Sequence, residues 1–368
     1  MPTASSSVVP LPPERPLGTS TPGRLVRGVR ALTRHPVLCL ALLTPGIVEY
    51  LSTSSSLLLL VESPIVFFVL LAVNVGQYTA GALLIREAMV RWGKGWATVG
   101  FLGLAYGITE EGLGDNTLFR SSQHADGVLG WYGHFAGVNW VWSVGVLVLH
   151  VTVSIAFPIL LLRLALPETR GQSLIGRPGV VVAFLSLAGS TAFESVSVWR
   201  LFGFWMGTPL FLGSLAAIGA LVWAGYRAPP DLWRPTDERP STGPTAAFAV
   251  GFLFFPTALL VEYGSAAVGL PPALAIGVEL VLLGGLVEWM RRRVGRRDNE
   301  FVLVHLAFGF VLWQGVFGVL LTLGLPYTLP LVALVLVFFS RLRRRYQRPA
   351  VERPLPPPGA LAEPSPIR

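Results

Sequence analysis

Apolar runs broken by charge or turn clusters fill the chain between residues 36 and 340. Read between those boundaries, the pattern yields ten spans: 36–51, 64–85, 96–114, 138–162, 179–201, 209–226, 246–269, 272–289, 301–324 and 327–340. Most approach about 20 residues, the length at which an α-helix crosses a hydrocarbon core. Lipid offers a backbone no hydrogen-bond partner, so apolar runs of this length predict helices that satisfy themselves internally. The expected fold class is all-α, a polytopic helical membrane protein of about ten transmembrane helices. The first and last spans are short. The first continues through the Ser/Thr cluster at 52–56, or a half-helix over 57–61 re-enters beside it.

Composition agrees, with 52% hydrophobic and 13% charged residues among 368, where a soluble domain carries about a quarter charged. A net charge of +8 is of the sign that nucleic acid attracts, but the placement of the arginines explains it otherwise. With the N-terminus inside, 26 of the 28 Lys and Arg fall on inner segments and tails, leaving Arg120 and Arg200 outside. The positive-inside rule then sets both termini in the cytoplasm, and no nucleic-acid partner is expected. The lipid bilayer is the expected partner, together with a small solute or membrane substrate. Nearly all basic residues are Arg, which suits a GC-rich bacterial genome and a multi-pass protein of its cytoplasmic membrane. Residues 1–30 and 346–368 are rich in Pro and Ser and read as disordered tails around a transmembrane domain at 31–345. A cleaved signal peptide is not expected, because Glu49 interrupts the first run. The single cysteine, Cys39, excludes a disulfide framework and a Cys-based zinc site.

A short internal echo suggests duplication. Val48-Glu49-Tyr50 recurs as Val261-Glu262-Tyr263, and Leu104-Ala105-Tyr106-Gly107 resembles Leu306-Ala307-Phe308-Gly309. Residues 36–163 and 246–341 would then be parallel four-helix repeats, a transporter device.

Ionised groups in hydrocarbon cost several kcal/mol and normally face a bundle interior or a water-filled cavity. Glu49, Glu110, Glu111, Glu194, Glu262 and Glu279 lie in or near spans. In span 3, Gly100, Gly103, Gly107, Glu110/Glu111 and Gly114 follow at three- or four-residue steps along one helix face. A glycine stripe marks close helix packing, so the acidic pair faces protein. Two adjacent carboxylates in low dielectric do not both ionise comfortably, which suits a proton carrier, a general acid or a cation ligand. Span 4 offers a matching polar face of Asn139, Ser143, His150 and Ser154, and span 5 offers Ser186, Ser190 and Glu194. Trp131, Trp140 and Trp142 read as interfacial anchors.

Depth at 1.5 Å per residue places Glu49, Glu110, Glu194 and Glu262 roughly 20–25 Å above the cytoplasmic ends of their helices. His150, counted down from outside, falls about 10 Å lower, as a relay or floor. The expectation is one outward-facing cavity lined by Glu49, Glu110, Glu111, Glu194 and Glu262, with Asn139 and His134 at its mouth. Arg120 and Arg200 are the available counter-charges. His305 reads as structural.

The stretch Gly107-Ile108-Thr109-Glu110-Glu111 resembles the Glu-Glu motif of the CPBP intramembrane proteases, the CAAX-processing and bacteriocin-immunity group. That resemblance implies a metal-dependent peptidase in which Glu110, Glu111 and His150 activate a water, with a divalent metal as cofactor. The family's Arg after the pair is Asp115 here, its Phe four before the His is Val146, and Glu194 stands where span 5 would carry another His. The residues themselves point first to a secondary transporter or permease without a cofactor, whose buried glutamates bind a proton, a cation or a solute. The CPBP-like peptidase is the alternative, and a non-catalytic scaffold or immunity-type protein the second. No phosphate-cradling loop or other nucleotide motif is present.

Overall fold

The computed structural model describes residues 35–52, 54–121, 127–232, 242–293, 300–321 and 328–347. The two tails, the loop residues His124 and Asp126, and part of the inner arginine segments lie outside them. Each of the ten apolar runs sits on a helix. These are α1 (Pro36–Leu51), α2 (Pro64–Arg91), α3 (Trp96–Gly107, continued by Ile108–Gly114), α4 (Trp140–Ala165), α5 (Arg177–Phe202), α6 (Thr208–Arg227), α7 (Pro244–Ala267), α8 (Pro272–Arg293), α9 (Glu300–Leu321) and α10 (Thr328–Gln347). Seven of them, α2 and α4 to α9, are long and apolar enough to cross a membrane. Residues 59–62 form one helical turn before α2.

Burial divides the helices into a core and a rim. In α2, α4 and α9, 56% of the apolar window is buried, against 11–17% in α5, α6, α7 and α8. The rim helices turn Val181, Phe184, Leu185, Trp223, Leu260 and Val281 outward. A face of that size and apolarity needs lipid rather than water, so the chain is a membrane-embedded protein. The tightest pair is α7 with α9, where Gly251 and Gly309 let the two backbones touch; a Cβ at either would meet the partner's main chain.

Two polar clamps hold the ends. At the end of α2, Arg86 pairs with Glu87 at 3.1 Å, both 1% exposed, and donates to the Thr169 and Gln172 carbonyls. At the other end, the segment between α3 and α4 closes in an antiparallel hairpin, His134–Phe135 against Val138–Asn139. Its two central residues, Ala136 and Gly137, have φ of 51° and 77°, the left-handed pair that a two-residue hairpin requires.

Candidate functional site

Four helices meet where their backbones depart from α geometry. Glu49, Tyr78, the Glu110–Glu111 pair and His150 each lie in a π-helical stretch: Gly46–Leu51, Val75–Thr79, Ile108–Gly114 and His150–Ala156. Each added residue turns the following face by about 100°, and such stretches concentrate at functional sites. Gly107 brings α3 against α4, since a Cβ there would lie 2.7 Å from Leu147 Cδ2 and 3.4 Å from His150 Cβ.

The result is a compact acidic centre. His150 Nε2 lies 2.7 Å from Glu110 Oε2 and 2.7 Å from Glu111 Oε1. All three side chains are buried, and one ligand atom from each falls within 4.8 Å of the others. An imidazole Nε2 carries at most one hydrogen. The contact to Glu111 has hydrogen-bond geometry, whereas Glu110 Oε2 has no hydrogen-bond partner. His150 Nδ1 is held by Ser154 Oγ at 2.9 Å, and Thr117 Oγ1 donates to Glu111 Oε2. Trp142 Nε1 donates to the same Thr117 hydroxyl at 3.0 Å. The donor set of two carboxylates and one imidazole suits a borderline or hard divalent ion, and the orphaned Glu110 oxygen is the atom such an ion would satisfy.

The network continues beyond the centre. Tyr78 Oη lies 2.5 Å from Glu49 Oε1 and 3.0 Å from Glu110 Oε1. Ser55 Oγ donates to Glu49 Oε2 at 2.8 Å, and Asn74 Nδ2 donates to Ser55 Oγ at 3.1 Å. The Tyr78 ring stacks on His150 at 6.4 Å, and Tyr106 meets it edge-on at 5.9 Å with its own hydroxyl buried and unpartnered. Sequence reasoning missed both tyrosines. The polar break Asn74, Gln77, Tyr78, Thr79 inside span 2 was the signal for Tyr78, and Tyr106 sits one turn before Glu110.

Several expectations are corrected. His150 is no floor below the glutamates. Helix α4 runs to Ala165, so counting up from that end puts His150 about 23 Å high and Glu110 about 21 Å. The earlier count fixed only the outer end of a helix longer than the bilayer core. Glu262 does not share the centre: it is buried beside Gly145, with Glu279, across α4. Asn139 and His134 do not face a cavity mouth. Asn139 Nδ2 donates to the Thr117 and Arg120 carbonyls at 2.8 and 2.9 Å, and its Oδ1 contacts His134 Nδ1 at 2.5 Å, tying the loop before α4. Among the described residues no arginine pairs with Glu49, Glu110, Glu111 or Glu194; Arg120 lies 4.4 Å over the Phe202 ring and Arg200 is exposed. Trp142 is half-buried, with its Nε1 turned to Thr117 Oγ1. Glu194 does adjoin the centre, within electrostatic reach of Glu110 and Glu49 and against Gly114, with Oε2 buried and unpartnered. His305 is satisfied within its own helix, by the Phe301 carbonyl at 2.8 Å.

No protein-family model, curated protein or solved structure matches the chain. Its function has to be argued from this centre.

Proposed function

We propose that the chain is an intramembrane hydrolase, similar in chemistry to the CPBP proteases, that uses Glu110, Glu111 and His150 to hold a divalent cation and activate a water. Its ten helices span a bacterial cytoplasmic membrane with both termini inside. The observation that carries this reading is the approach of two carboxylate oxygens, one from each glutamate, to within 2.7 Å of a single imidazole nitrogen in a buried site. Such a cluster needs protons or a cation to offset its charge, because the surrounding dielectric is low.

A bound divalent ion supplies Lewis-acid polarisation. The chain's own groups do the rest. With Glu110 Oε2, free of hydrogen bonds, left to the ion, Glu110 Oε1, which accepts from Tyr78 at 3.0 Å, would take the proton as water adds to a carbonyl carbon and return it to the leaving group. Ser154 fixes the ring orientation of His150 through Nδ1, the supporting contact that metal-ligating histidines normally have. Thr117 holds Glu111. The Tyr106 hydroxyl, buried and unpartnered beside His150, would be the donor to a developing oxyanion.

The test is metal content and peptide hydrolysis by the purified full-length protein. Stoichiometric zinc, cobalt or manganese that disappears in His150→Ala and Glu110→Gln, with chelator-sensitive cleavage of a transmembrane peptide, is the expected result. Failure to retain any divalent ion, with variants indistinguishable from the parent, would overturn it.

A second reading, a proton-coupled transporter, is favoured by the line Glu49–Tyr78–Glu110–His150. One phenolic hydrogen is shared between the two carboxylates of this line, so a proton carried along it would have a connected path. In that case Glu49→Gln abolishes proton-coupled flux in proteoliposomes.

A further inference from the structure

Helix α4 separates two acidic centres. His150 and Ser154 face the first. Gly145, Val148 and Leu149, on the opposite side of the same helix, wall a partly open cavity of about 60 Å³ bounded by α7 and α8. Glu262 and Glu279 project into it, 3% and 5% exposed. Both carboxylate oxygens of Glu279 are buried without a hydrogen-bond partner. Glu262 lies so close to α4 that a Cβ at 145 would strike its carboxylate and displace it. Among the described residues no Lys, Arg or His lines the cavity; the rest of its wall is apolar, with Trp142, Phe254 and Phe255 among it.

We propose that this cavity is a second ligand site, independent of the hydrolase reading, that binds a small organic cation: an ammonium group on a short alkyl body. Two buried carboxylates with no cationic neighbour in the wall call for positive charge from a ligand. An inorganic ion is a poor match, because sodium or calcium needs several oxygen ligands or its own waters. Ordered water in turn needs two to four polar partners each, and this wall is mostly carbon. A primary ammonium offers three N–H donors to the two carboxylates, while aromatic faces attract cations and the alkyl chain packs on Leu259 and Leu283. The volume holds about four to six water-sized atoms at 10–15 Å³ each, close to the five non-hydrogen atoms of n-butylammonium.

The test is isothermal titration of the purified full-length protein in detergent with n-butylammonium, with n-butanol and sodium as comparators. Expected are saturable binding by the amine, none by the alcohol, and at least a tenfold loss of affinity in Glu279→Gln. Gly145→Ala, which displaces Glu262 without changing charge, should weaken binding likewise; with Glu262→Gln it decides the matter if Glu279→Gln does not fold. The Glu110→Gln/Glu111→Gln double variant should bind as the parent does. Absence of saturable binding, full affinity in Glu279→Gln, displacement by equimolar sodium, or loss in the Glu110/Glu111 variant would each overturn the proposal.

Discussion

Replacing His150 with alanine probes the centre most directly. The imidazole is 2% exposed and its Nε2 lies 2.7 Å from a carboxylate oxygen of each glutamate, so solvent cannot take its place. Removing one partner from a buried charge cluster costs about 3–5 kcal/mol, because the remaining charges lose their compensation in low dielectric. In a Glu110→Gln/Glu111→Gln background the same change removes only neutral hydrogen bonds and packing, about 1–2 kcal/mol. The bond from Ser154 to Nδ1 is lost in both backgrounds and cancels. The expected non-additivity is therefore about 1–4 kcal/mol. Equilibrium unfolding in mixed micelles, with chelator present throughout so that no ion contributes, measures both effects. If the two His150→Ala costs agree within about 0.5 kcal/mol, the range in which independent sites add, the three groups are not electrostatically coupled and the reasoning fails.

Four further outcomes can be checked. Tyr78→Phe removes the hydroxyl shared by Glu49 and Glu110 and should cost about 1.5–3 kcal/mol in the same unfolding assay. Arg86→Ala should destabilise by about 1–3 kcal/mol, since the Thr169 and Gln172 carbonyls lose their donor while Glu87 keeps Arg91 at 3.0 Å; Arg86→Ala/Glu87→Ala together should cost more, because the Leu174 N–H then loses its acceptor as well. Asn139→Ala should lose about 2–3 kcal/mol and speed proteolysis between residues 115 and 139, yet leave metal content unchanged, because Asn139 ties a loop and does not line the centre. Gly107→Val should force α3 from α4 at Leu147 and His150, costing about 1–3 kcal/mol and at least tenfold in zinc affinity by competition with a chromophoric chelator.

What was legible in the chain was everything that depends on local pattern. Length and apolarity placed all ten helices, because lipid leaves the backbone no alternative partner. The three- and four-residue spacing around Gly103 and Gly107 put the acidic pair on a packing face, and those glycines do meet Val151, Leu147 and His150 of α4. The polar face of α4 was also visible, and its inner members His150 and Ser154 belong to the centre.

Tertiary structure decided which polar groups meet. Residue counting gives height along a helix relative to an assumed end, and counting α4 from its inner end at Ala165 instead of its outer end brings His150 up to the glutamates. It says nothing of azimuth between helices, so Glu49 and Glu262, alike in motif and depth, ended on opposite sides of α4. The π-helical stretches turned Glu49, Tyr78, Glu110 and His150 toward one point, a rotation that α periodicity does not encode. Helix identity follows from contacts within a few residues, whereas the centre follows from contacts between residues 32 to 40 positions apart, and only packing of the assembled bundle sets those.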